Sequence, residues 1–70
     1  MSQYTAGIII IGDEILSGRT QDTNANFIAK NLISSGIQLE EIRVIQDEKK
    51  IIIDSVKLFS QNYNYVFTTG

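Results

Sequence analysis

The 70-residue sequence contains no cysteine, no histidine and no proline. Without cysteine, neither a disulfide framework nor a thiolate metal site is available. Without histidine, the commonest general base and metal ligand near neutral pH is missing too. Basic residues are few and scattered, at Arg19, Lys30, Arg43, Lys49, Lys50 and Lys57, and the formal net charge is −2. They make no basic stripe, so nucleic acid is not an expected partner. No apolar run approaches the ~20 residues of a membrane span. The opening MSQYTAG carries no positive segment ahead of its short apolar run and does not read as a secretory signal. These absences predict a soluble, cytoplasmic protein with no membrane partner.

What is present is globular in character, with 43% hydrophobic residues and no linker, repeat or low-complexity segment. A chain near this length buries only about 60% of its unfolded surface. A core of that size without covalent staples is marginal. The sequence holds one small domain at most.

The pattern along the chain reads strand, helix, strand, helix, strand. The first strand spans about Tyr4 to Ile11, and its unbroken run Ile8 to Ile11 suits a central strand covered on both faces. In the next helix, Ala25, Ile28, Ala29, Leu32 and Ile33 recur at the spacing of one helical face. Asp22 or Thr23 caps its start, and Gly36 suits a left-handed C-terminal position. The second strand runs from about Ile37 to Ile45, where Ile37, Leu39, Ile42 and Val44 alternate with one slip, as at a bulge. A helix over about Glu48 to Gln61 follows, with Asp47 as its cap and Ile52, Val56 and Phe59 as its core stripe. Its β-branched run Ile51 to Ile53 argues locally for strand, but Ile51 to Ser55 does not alternate. A third strand covers Tyr65 to Thr68, and Tyr4, Tyr63 and Tyr65 are expected around the sheet ends. Alternating strands and helices imply right-handed parallel crossovers. The predicted fold is a three-layer α/β/α, Rossmann-like parallel sheet with strand order 2-1-3.

The polar residues that follow Ile11 lie where open α/β sheets bind ligands, past the carboxyl end of a central strand. Gly12 permits a tight turn or close approach of a ligand to the backbone. Asp13 and Glu14 either hold a hard cation through carboxylate oxygens or cap the following turn. Ser17 and Gly18 offer a hydroxyl and backbone N–H groups to an anion, or simply make a turn. Asp22, Thr23 and Asn24 stand at a helix start, where free N–H groups favour phosphate, although the same residue types are preferred caps. Thr68, Thr69 and Gly70 end the third strand beside the first.

The segments GDEILSG at Gly12 to Gly18 and DTN at Asp22 to Asn24 resemble the opening of the molybdopterin-binding, or molybdenum cofactor biosynthesis-like, domain. The helix FIAKNLISSGI, the acid Asp47 after the second strand and VFTTG at Val66 to Gly70 extend the likeness over nearly the whole chain. Within that family the sequence most resembles the amino-terminal domain of competence-damage-inducible, CinA-like proteins. Asn64 departs from an acid common at the corresponding place, so a charge role there is lost. Family members continue into a glycine-rich GGxGPT loop with further strands, so residues 1–70 are expected to be an incomplete domain.

The resemblance implies that a nucleotide or pterin is bound with its phosphates at the strand ends. Gly12, Asp13, Glu14, Ser17, Asn24, Thr68, Thr69 and Gly70 would make the ligand-binding set, and no residue stands out as catalytic. For CinA-like members the resemblance implies hydrolysis of a nucleotide-sugar pyrophosphate bond with a divalent metal. For molybdenum cofactor members it implies adenylylation of molybdopterin or metal insertion. These residues alone are expected to turn over no ADP-ribose. The rival expectation is a non-catalytic remnant of a truncated gene, which pairs its exposed sheet edge with another chain.

Overall fold

A computed structural model describes residues 4–18 and 23–69, leaving aside the side chains of Ile15, Thr23 and Asn24. The elements are β1 (Thr5–Ile11), α1 (Asp13–Leu16), α2 (Thr23–Ser34), β2 (Gln38–Ile45), α3 (Lys49–Asn62) and β3 (Tyr65–Thr69). β1 lies between the other two strands in a parallel sheet of order β2-β1-β3. The fold is the expected α/β sandwich, with α2 packed on one face and α3 on the other.

The isoleucine run explains the three layers. Ile8 and Ile10 join Ala6, Ala25 and Leu32 in the core beneath α2. Ile9 points the other way and packs with Ile45 and Phe59 beneath α3. A strand with both faces covered has no solvent side, so alternation with polar residues is lost. Ile11 is only partly buried, because it stands where the sheet ends.

The slip in β2 is a real irregularity. Ala6 pairs with Leu39 but Gly7 pairs with Glu41, which leaves Glu40 as an extra residue. Gly7 itself is required by close packing, since a Cβ there would lie 2.5 Å from Phe59 Cδ2 and 2.8 Å from Tyr63 Cδ2. At the end of α2, Gly36 has φ +81°. Its N–H donates to Ile33 O, and the Ile37 N–H donates to Leu32 O at 2.9 Å. That pair of bonds is a Schellman closure.

Three expectations need correction. Ile33 is 68% exposed; about 100° further round the helix than Leu32, it points past the sheet. Asp47 is not the cap of α3, which begins at Lys49 after Glu48, with an extended backbone and no capping side chain. The Asp47 N–H is instead engaged by Asp13, and a Glu48 N–H to Gln46 O bond of 2.9 Å makes a turn first. The segment after Gly12 is a short helix, not merely a turn, and Asp13 and Glu14 occupy its first turn. Acids there complement the helix dipole. The cap expected from Asp22 lies outside the described residues.

At the opposite end of the sheet, Asn64 bridges strands. Its Oδ1 accepts the Thr5 N–H at 2.9 Å, and its own N–H donates to Thr5 Oγ1 at 3.4 Å. Tyr4 and Tyr65 meet there edge to face, with centroids 6.0 Å apart.

Candidate functional site

Parallel strands share a direction, so the carboxyl ends of β1, β2 and β3 form one edge. Ile10 pairs with Thr69 and Ile11 with Ile45. The ladder then runs one rung further, as Gly12 N–H donates to Ile45 O at 3.1 Å. Gly12 is buried, and a Cβ on it would meet the Glu14 carboxylate, 2.9 Å from Oε1. Glycine at this place lets Glu14 fold back over the chain.

Asp13 and Glu14 are both exposed. Asp13 Oδ1 accepts the Asp47 N–H at 3.4 Å, so the loops after β1 and β2 are tied together. Ser17 Oγ donates to Glu14 O at 2.9 Å, and the Ser17 N–H bonds Asp13 O at 3.0 Å. Both close the end of α1. Gly18 follows with φ +78°, a conformation that glycine adopts without strain.

Thr68 is exposed and Thr69 half-buried at the end of β3, one strand over from Gly12. Asn24 lies in the first turn of α2. That turn belongs to the same edge, because α2 ends at the amino end of β2, where Gln38 pairs with Thr5. Gly70 lies outside the described residues. Gly12, Asp13, Glu14, Ser17, Thr68, Thr69 and the backbone of Asn24 thus share the carboxyl edge.

This edge combines backbone donors, two threonine hydroxyls and several carboxylates. Among the described residues, no three acids group closely enough to hold a metal ion. The tie from Asp13 to Asp47 had no signal in the sequence, since it joins residues 34 positions apart.

A concavity among the described residues lies elsewhere. A groove of about 390 Å³ is lined by Phe27, Ile28, Asn31, Leu32, Ser35, Ile37 and Phe67, none of them charged. It lies on the α2 face towards the amino ends of the strands. Its chemistry suits packing, not phosphate.

Comparison with known proteins gives a consistent picture. Residues 7–70 match the family model described as a probable molybdopterin binding domain. A probable FAD synthase of Caenorhabditis briggsae is 46% identical over 66 residues, which are 94% of this chain and 13% of that protein. A CinA-like protein of Flavobacterium psychrophilum is 42% identical over 65 residues, 93% of this chain and 16% of the relative. The solved structure of the protein CinA, of unknown function, from Thermoplasma acidophilum superposes with a TM-score of 0.91 at 33% identity. That superposition covers 96% of this chain and 40% of the other. The chain therefore spans well under half the length of each protein it matches here.

Proposed function

The chain belongs to the probable molybdopterin-binding domain family, with CinA-like relatives, and on that premise we propose that its carboxyl sheet edge binds a nucleotide or pterin through phosphate. What supports this reading is that Gly12, Thr68 and Thr69 lie at the sheet edge where α2 begins. Backbone N–H groups at a helix start and hydroxyls at strand ends are donors of the kind that suit an anion. One of the relatives named above is consistent with it, since it is named as a probable FAD synthase and FAD contains a pyrophosphate bridge.

The proposed contribution of these residues is binding and orientation. Gly12 lets the ligand approach the backbone of β1, Thr68 and Thr69 offer hydroxyls from the neighbouring strand, and Asn24 marks the N–H groups of the first turn of α2. Pyrophosphate hydrolysis, with a divalent metal in attendance, is proposed for the longer proteins of which such a segment forms part. No residue here is assigned the bond-breaking step.

Calorimetric titration with ADP-ribose tests the reading. The expected result is saturable binding, displaced by inorganic pyrophosphate and weakened when Thr68 and Thr69 are both changed to valine. Binding that pyrophosphate does not displace, or no heat of binding by a folded chain, contradicts it.

A further inference from the structure

Asp13 is exposed at the candidate edge, yet its carboxylate already has a structural partner. Oδ1 accepts the backbone N–H of Asp47 at 3.4 Å. The bond continues a zipper, because the preceding residue, Gly12, donates its N–H to Ile45 O at 3.1 Å. Together they fasten the loop after β1 to the loop after β2 at two successive points.

The loop after β2 needs such a fastening. The helix that follows has no capping side chain, since Glu48 at its start makes no such bond. Within the loop, the Glu48 N–H bonds Gln46 O at 2.9 Å, which bends the chain but does not anchor it to the sheet. Asp13 supplies the anchor from outside. Without it, the three residues between β2 and α3 would be held only through their two ends, and the Asp47 side chain would be less fixed in direction.

We infer that Asp13 is a positioning residue: its Oδ1 fixes the backbone of Asp47 and thereby the way the β2–α3 turn faces the ligand edge. The consequence for ligand rests on the function proposed above, but the positioning itself does not. Asp13 works here through an acceptor oxygen, not through its charge. That separates this role from direct contact with a cation, which a carboxylate's negative charge strengthens well beyond what a neutral amide oxygen gives.

The two roles predict opposite behaviour for two variants. Asp13→Asn keeps an acceptor oxygen at the same place and removes the charge. Asp13→Ala removes both. Amide hydrogen exchange and the temperature coefficient of the Asp47 N–H, read by NMR on the 70-residue chain, report the bond without any ligand. The wild-type and Asp13→Asn chains are expected to show a protected Asp47 amide with a small temperature coefficient. In Asp13→Ala, exchange at Asp47 should rise several-fold while amides in β1 stay unchanged. ADP-ribose affinity should follow the same order, retained by Asn and reduced by Ala.

A wild-type Asp47 amide that behaves as freely exposed overturns the inference, and that reading needs no variant to fold. So does an Asp13→Asn chain that loses protection as fully as Asp13→Ala. If the amide behaves as expected but ADP-ribose binds to none of the chains, positioning stands and the proposed function falls.

Discussion

The Tyr63 hydroxyl donates to Glu41 Oε1 at 2.7 Å, joining the residue after α3 to the middle of β2. The other carboxylate oxygen, Oε2, accepts from Arg43 Nε at 3.0 Å and Nη2 at 2.6 Å. The Arg43 guanidinium in turn lies 5.2 Å from the centre of the Phe59 ring. The Tyr63 hydrogen bond, followed by those from Arg43, holds the Glu41 carboxyl below its ordinary value. The same bond to Glu41 pushes the Tyr63 phenol above its ordinary value.

The signs fix where stability depends on pH. Glu41 is depressed, so its contribution is present above the ordinary glutamate value and is lost as pH falls through the folded value. Tyr63 is raised, so its contribution is present below the ordinary tyrosine value and is lost as pH rises through the folded one. Thermal melts should therefore be level across the neutral range and fall at both acid and strongly alkaline pH. Tyr63→Phe should lower the melting temperature in the neutral range and flatten the alkaline fall. An unchanged alkaline limb in Tyr63→Phe would show that the bond contributes nothing.

Gly7 lies under this cluster, and its lack of a side chain is what lets Phe59 and Tyr63 close onto β1. The contacted atoms are aromatic carbons of two packed rings, one of them fully buried. Gly7→Ala is expected to cost about 1–3 kcal/mol, the usual range for overpacking. Denaturant unfolding measures it, and a loss below about 0.5 kcal/mol would mean that the rings move aside freely.

Much of this architecture is legible in sequence, and the reasons are physical. The Ile8–Ile11 run announces a strand covered on both faces, and Gly36 announces the end of α2. The slip between Leu39 and Ile42 foretells the extra residue Glu40, because a period of two admits no other phase change. Ile33 misled because a helical stripe shows which residues share a face, not how wide the sheet beneath them is. The tie between the loops after β1 and β2 was hidden for a different reason: the Asp13–Asp47 contact spans 34 positions and leaves no periodic trace. The candidate edge was legible as a place, since parallel strands must end together, but its internal hydrogen bonds were not.

Ile8 and Ile9 are fully buried on opposite faces of β1 and so report on separate cores. Ile8→Ala should loosen the α2 layer and Ile9→Ala the α3 layer, each at a cost of about 2–5 kcal/mol. Hydrogen exchange resolves the two layers. Equal loss of protection in both helices from either variant would show that the layers unfold as one unit.

The two outer strands of the sheet differ in chemistry. β2 carries Glu40, Glu41 and Arg43 and the bulge, devices that discourage edge pairing. β3, with sequence YVFTT, has no charge. The 70-residue chain is expected to associate through β3 as its concentration rises, and Tyr65→Lys should reduce that association. Sedimentation velocity checks this: a wild-type chain that stays monomeric at high micromolar concentration contradicts it.

Amide chemical-shift mapping with ADP-ribose, on the isotopically labelled chain, tests the central claim most directly. Perturbed amides are expected to cluster at Gly12 to Ser17, at the start of α2 and at Thr68 and Thr69, while Thr5, Gln38 and Asn64 at the opposite end stay still. Perturbations centred on Phe27, Ile37 and Phe67 in the apolar groove, or at the amino ends of the strands, would contradict it.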